Sequence, residues 1–132
     1  MINNDMTYHG LDIAHNEYIK KTADFMKAKF GKRFNFYIGD SRTEIQTIDQ
    51  KINQEIDLIH IDGDHNFDVV NEDILNSINL SKKLNSRFIL LDDTDDYRVL
   101  QASNKYIIKG LLHTESLNGS WENLSNSLLR IA

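Results

Sequence analysis

Cysteine and proline are both absent from this chain of 132 residues, and glycine occurs only six times. Without cysteine there is neither a disulfide framework nor a thiolate metal site, so any metal must be held by oxygen or imidazole. That fits a reducing compartment, and the cytoplasm is the expectation. No apolar run approaches the roughly 20 residues of a membrane span. The opening MINNDM has neither the basic nor the apolar region of a signal peptide. Basic clusters are missing too: no run of Lys and Arg exceeds two residues, the formal charge is -5 and the pI near 5.4. This balance argues against a partner gripped through its phosphates, so neither nucleic acid nor a membrane is expected. The missing proline, beside abundant Asn, Ile and Lys, matches an AT-rich gene and carries no structural argument.

What the chain does have is a pair of apolar runs tipped with acids. Ile56 to His65 reads IDLIHIDGDH, and Arg87 to Asp96 reads RFILLDDTDD. Aliphatic and β-branched runs of this length read as buried parallel strands whose C-terminal ends share one rim. In an open α/β sheet, ligands bind at that rim. Asp62, Asp64, Asp92 and Asp93 would converge there without enough nearby Lys or Arg to neutralise them, and a bound cation is the simplest remedy. Asp62, Asp92 and Asp93 suit a hard ion such as Mg²⁺, which keeps several waters and asks the protein for few carboxylates. His65, just beyond Asp62, can serve as general base or orient a substrate oxygen; the alternative is a loop histidine packing on Phe67. His9 and His60 lie inside strands and read as core or sheet-face residues.

The rest of the chain alternates strand and helix. Thr7 to Ile13 is a strand ending near Asp12. Asn16 to Phe30 puts Ile19, Ala23, Met26 and Phe30 on one helical face, with Gly31 as the stop. Phe34 to Ile38 is a second strand, followed by a short helix opened by a Ser41/Glu44 capping box and turning Ile45, Ile48 and Ile52 inward. Further helices are expected over Phe67 to Leu84 and Tyr97 to Lys109. Further strands are expected over Ile56 to Asp62, Phe88 to Leu91, Leu111 to Leu117 and the tail SNSLLRIA, with Asn118-Gly119 as a tight turn. The sum is one α/β domain over 1-132: a Rossmann-like, doubly wound and mostly parallel sheet closed by a C-terminal antiparallel hairpin. Trp121, near that hairpin, reads as a packing anchor.

GLDI, FYIGDS, IDLIHIDGDHNF and RFILLDD, in this order and spacing, resemble the class I S-adenosylmethionine-dependent methyltransferases over nearly the whole chain. The likeness is closest to a small-molecule branch that includes metal-dependent O-methyltransferases. It implies S-adenosylmethionine as cofactor and a small-molecule acceptor, with an oxygen as the methylated atom. It further implies that Asp12 binds the ribose hydroxyls and Asp40 the adenine amino group, with Ser41 beside it. Asp62, Asp92 and Asp93 would hold a divalent cation such as Mg²⁺. Asp62 is thereby shared among the cofactor set, the metal set and the catalytic pair it forms with His65.

One departure from the family is large. Its glycine-rich loop should lie roughly 20 residues before the ribose-binding acid, yet Asp12 stands near the start and no G-x-G-x-G occurs. The first strand and that loop are therefore expected to be missing. In the family sheet the first strand stands at the centre, so the strands ending in Asp12 and Asp62 would pair directly or leave open edges, favouring a homo-oligomer. Two alternatives stay open. Apolar-strand-DGD with a later DD also suits a haloacid-dehalogenase-like Mg²⁺-dependent phosphohydrolase, in which the first Asp is the nucleophile. The other is a truncated, non-catalytic half-domain.

Overall fold

A computed structural model describes residues 6–115 and 125–132. The expected Asn118-Gly119 turn and Trp121 lie outside these residues. The chain divides into two compact units, 1–45 and 46–132. Among the described residues no helix is long and apolar enough to cross a membrane.

The first unit holds β1 (Tyr8–Asp12), α1 (Glu17–Phe30), a 3-10 turn (Gly31–Arg33) and β2 (Phe34–Ile38), while α2 (Ser41–Ile48) runs across the boundary. β1 and β2 are parallel, with Tyr8 opposite Phe34 and Asp12 opposite Ile38. Ile19, Ala23, Met26 and Phe30 are the half-buried positions of α1, and its remaining residues are exposed, as a single apolar stripe requires. Gly31 ends the helix at φ +59°, a conformation that costs a side-chain-bearing residue more than glycine. Buried Phe34 stacks on Tyr8 at 5.2 Å between ring centroids, and its carbonyl accepts from the Lys27 ammonium at 2.8 Å. The start of α2 differs from the expected capping box. Asp40, not Ser41, is the cap: its carboxylate accepts from the Arg42 amide at 3.0 Å and its carbonyl from the amides of Thr43 and Glu44. The Glu44 side chain lies instead over Gly39, in the space a Cβ there would need.

The second unit holds β3 (Leu58–Ile61), α3 (Phe67–Leu84), β4 (Phe88–Leu91), α4 (Tyr97–Ile108), β5 (Leu112–Thr114) and β6 (Ser127–Ile131). They form a mixed sheet of order β3-β4-β6-β5, in which β3 and β4 are parallel while β6 is antiparallel to both β4 and β5. Strand alternation then sorts the side chains. Ile89 and Leu91 of β4 and Leu129 of β6 meet Val70, Ile74 and Ile78 of α3 and Val99, Ala102 and Tyr106 of α4 in one core. Asn66 caps α3 by accepting from the Asp68 amide at 3.0 Å, and Asn85 ends it in the left-handed region at φ +57°.

β3 is shorter and less buried than its sequence suggests. Ile59 and Ile61 are half-buried, with Ile59 paired to Ile89 and Ile61 to Leu91, whereas Leu58 and His60 are exposed. An apolar run looks alike whether its strand is covered on both faces or only one, and β3 is an edge strand with one face covered. β1 pairs with β2 in a two-stranded sheet, and β3 belongs to the four-stranded one.

Ile89 is fully buried at 0% exposure while Leu58 retains 46%. Urea denaturation should therefore show Ile89→Ala costing ~2–5 kcal/mol and Leu58→Ala about 1 kcal/mol or less. Equal losses would contradict the assignment of the core face.

Candidate active site at the strand ends

The parallel ladder between β3 and β4 continues past the strands, because the Asp92 amide donates to the Ile61 carbonyl at 3.0 Å. Asp62 and Asp92 thus follow directly after the paired residues Ile61 and Leu91. They fall on the face away from α3 and α4, and two residues earlier on β3 the same alternation puts His60 on that face. One donor atom from each of His60, Asp62 and Asp92 lies within 4.8 Å of the other two. His60 Nε2 is 3.9 Å from Asp92 Oδ2, too long for a direct hydrogen bond.

Asp93 faces elsewhere. Its φ of +52° turns the chain sharply, and its carboxylate accepts from His65 Nε2 at 2.9 Å. The other ring nitrogen, Nδ1, is 3.2 Å from Asp96 Oδ2. Asp96 caps α4 by accepting from the Arg98 amide at 2.8 Å, and the Arg98 guanidinium grips the same carboxylate. Those bonds hold Asp96 far below the usual carboxylate range. Ionised carboxylates only accept, so bonds from both ring nitrogens to Asp93 and Asp96 favour the imidazolium form of His65, the one form with two N–H donors. The Asp93 bond, with help from Asp96 and against a smaller desolvation effect, raises its pKa above the ordinary 6.5. In this state it has no lone pair with which to take a proton.

The Asp92–Asp93 turn is anchored from β6. The Thr94 amide and hydroxyl both donate to the Ser125 carbonyl, at 2.6 and 3.0 Å, and the Ser127 hydroxyl donates to that of Thr94 at 3.2 Å. Asp64, expected on the shared rim, bends into its own loop and accepts from the Asn66 amide at 2.7 Å. Beneath these loops the enclosed space is about 10 Å³, room for one water at most, so a larger ligand must sit on the rim.

In the first unit, Asp12 ends β1 and accepts from the Ala14 amide at 2.5 Å, while its carbonyl accepts from the Gly39 amide at 3.0 Å. The end of β1 is thereby tied to the turn that carries Asp40 and Ser41. Both Asp40 oxygens accept from the Arg42 guanidinium, at 2.9 Å for Oδ1 and 2.5 Å for Oδ2, which lowers the Asp40 pKa to about 2. A groove of about 440 Å³ runs beside α1 and β2, lined by Lys20, Asp24, Lys27 and Tyr37 among others, and none of the strand-end acids borders it.

Three of these features were not foreseen: the convergence of His60, and the parts of Arg42 and Arg98. Both arginines stand two residues after a helix-capping Asp, Asp40-x-Arg42 and Asp96-x-Arg98. That spacing is the available signal, since the side chain of the second turn residue folds back on the cap.

A family model described as a methyltransferase domain matches residues 2–94. No curated protein matches the chain. Among solved structures it is similar to CalS11, described as a TDP-rhamnose 3'-O-methyltransferase and an enzyme in calicheamicin biosynthesis, in its apo form. The TM-score is 0.63 at 16% identity, over 98% of this chain and 60% of CalS11. The chain thus spans less than two thirds of that protein's length, and the likeness is one of fold.

The His65 arrangement predicts a pH response of known sign. The raised folded-state value means that its ion pairs contribute fully below the unfolded value near 6.5 and are lost as pH rises through the folded value. NMR titration of His65 in chelator-treated buffer should give a midpoint above 6.5 that drops in Asp93→Asn. A wild-type midpoint at or below 6.5 would show the two carboxylates not to be engaged.

Proposed function

The chain belongs to the methyltransferase-domain family, of the class I S-adenosylmethionine-dependent type. From that membership we propose that it transfers a methyl group from S-adenosylmethionine to an oxygen of a small molecule with the help of a divalent cation. The observation that carries the reading is that adjacent parallel strands end in acids in each unit, Asp12 with Asp40 after β1 and β2, and Asp62 with Asp92 after β3 and β4. The family match favours it over a phosphohydrolase. The O-methyltransferase activity in the description of CalS11 favours oxygen as the acceptor atom.

The donor sets fit the groups they would hold. Asp12 is acceptor-only, as ribose hydroxyls require, and Asp40 with Ser41 follows on the neighbouring strand. Because Arg42 now occupies both Asp40 oxygens, recognition of an adenine amino group there requires one of them to change partner. Asp62 and Asp92 fit a divalent ion, and Asp93 joins them only by giving up His65. The bound cofactor supplies an activated methyl group on a sulfonium, and a bound divalent cation supplies positive charge that favours the ionised form of an acceptor hydroxyl. The chain's own part is to hold both reactants at attack distance by their polar ends. Both ring nitrogens of His65 are engaged, by Asp93 and Asp96, so it donates to an acceptor oxygen or takes a proton from one only after one carboxylate lets go.

Calorimetry on the protein tests this. Asp12→Ala should weaken S-adenosylmethionine binding roughly 10- to 100-fold, the worth of a charge-assisted hydrogen bond, and leave Mg²⁺ binding in place. Asp92→Ala should do the reverse. If the folded wild type bound neither ligand, the non-catalytic alternative would stand instead.

A further inference from the structure

We propose that His60 is a metal ligand, and that the cation site it forms with Asp62 and Asp92 prefers a first-row transition ion to Mg²⁺. The inference rests on the proposed cation site and deepens it. Two carboxylates alone leave the choice of ion to the hard cations, whereas an imidazole in the set moves it toward Fe²⁺, Co²⁺ or Zn²⁺.

The placement follows from strand geometry. Residues two apart on a strand share a face about 6.6 Å apart, and neighbouring strands lie about 4.8 Å apart. From one such step behind Asp62, the longer imidazole of His60 reaches diagonally toward Asp92 on the next strand. Ligands about 2.1 Å from one octahedral ion lie about 3.0 Å apart when adjacent and about 4.2 Å apart when opposite. The 3.9 Å between His60 Nε2 and Asp92 Oδ2 falls inside that range, and the 4.8 Å limit on the whole set exceeds it by tenths of an ångström that side-chain torsions can close. Asp93, the other claimant for the third position, has its carboxylate on His65 and its backbone in the left-handed region. His60 is about half exposed, so an ion at this rim keeps open positions for water or a substrate oxygen.

Co²⁺ is the probe, being spectroscopically visible and of higher affinity than Mg²⁺ for nitrogen ligands. Calorimetric titration of the protein should show Co²⁺ binding tighter than Mg²⁺. His60→Ala should weaken Co²⁺ at least roughly tenfold, since even outer partners of ligands are worth that much, and should change Mg²⁺ much less. The visible absorption of bound Co²⁺ should shift in the same variant, a change that a merely structural role would not produce. His113→Ala, on the exposed edge of β5, should alter neither. Unchanged Co²⁺ affinity and spectrum in His60→Ala, with binding still lost in Asp92→Asn, would overturn the role of His60 alone. If Asp92→Asn also kept full Co²⁺ and Mg²⁺ affinity with unchanged circular dichroism, the cation site itself would be refuted.

Discussion

Everything at the candidate site of the second unit depends on the parallel register of β3 with β4, carried one step further by the hydrogen bond from the Asp92 amide to the Ile61 carbonyl. Because side chains alternate across a strand, a shift of one residue would send Asp62 and His60 toward α3 and bring Ile59 and Ile61 out to water. The cost of exposing those two isoleucines, which pack on the core, is what protects the register. The hydrophobic layer beneath and the polar rim above are thus two readings of one alignment.

The rim solves its own electrostatic problem piece by piece. Asp96 is met by Arg98 and His65, Asp93 by His65, Asp40 by Arg42, and Asp64 by an amide of its own loop. These contacts lie mostly at the surface, where each contributes little to stability; their effect is to fix directions. Among the described residues, Asp62 and Asp92 have no such cation beside them except half-exposed His60 at 3.9 Å from Asp92. Asp92 Oδ1 accepts from the Asp93 amide at 2.8 Å, which leaves Asp92 Oδ2 and the Asp62 carboxylate to meet a ligand.

Much of this was legible in the amino-acid order. Strong periodicity located α1, α3 and α4 closely, and the spacing of Ile19, Ala23, Met26 and Phe30 named the inward face of α1 residue by residue. What escaped was whatever depends on neighbours distant in sequence. That β3 stands at an edge follows from sheet order, not from its own residues, so His60 looked like one more sheet-face residue. Local competition between caps was equally hidden. Ser41 and Glu44 have the capping-box spacing, but Asp40 precedes them and its carboxylate, reinforced by Arg42, wins the helix start. The pairing of His65 with Asp93 and Asp96 links residues 28 and 31 positions away, and only the fold brings them within reach.

The left-handed backbone at Asp93 has a consequence for how variants of this protein would be interpreted. At φ +52° an asparagine, aspartate or glycine is comfortable, while β-branched and bulky residues are strained. The turn therefore filters substitutions here before any ligand does. A restricted alphabet at position 93 would report a conformational demand. Neither His60, within β3, nor Asp62 has a positive φ, so restraint there would speak for chemistry.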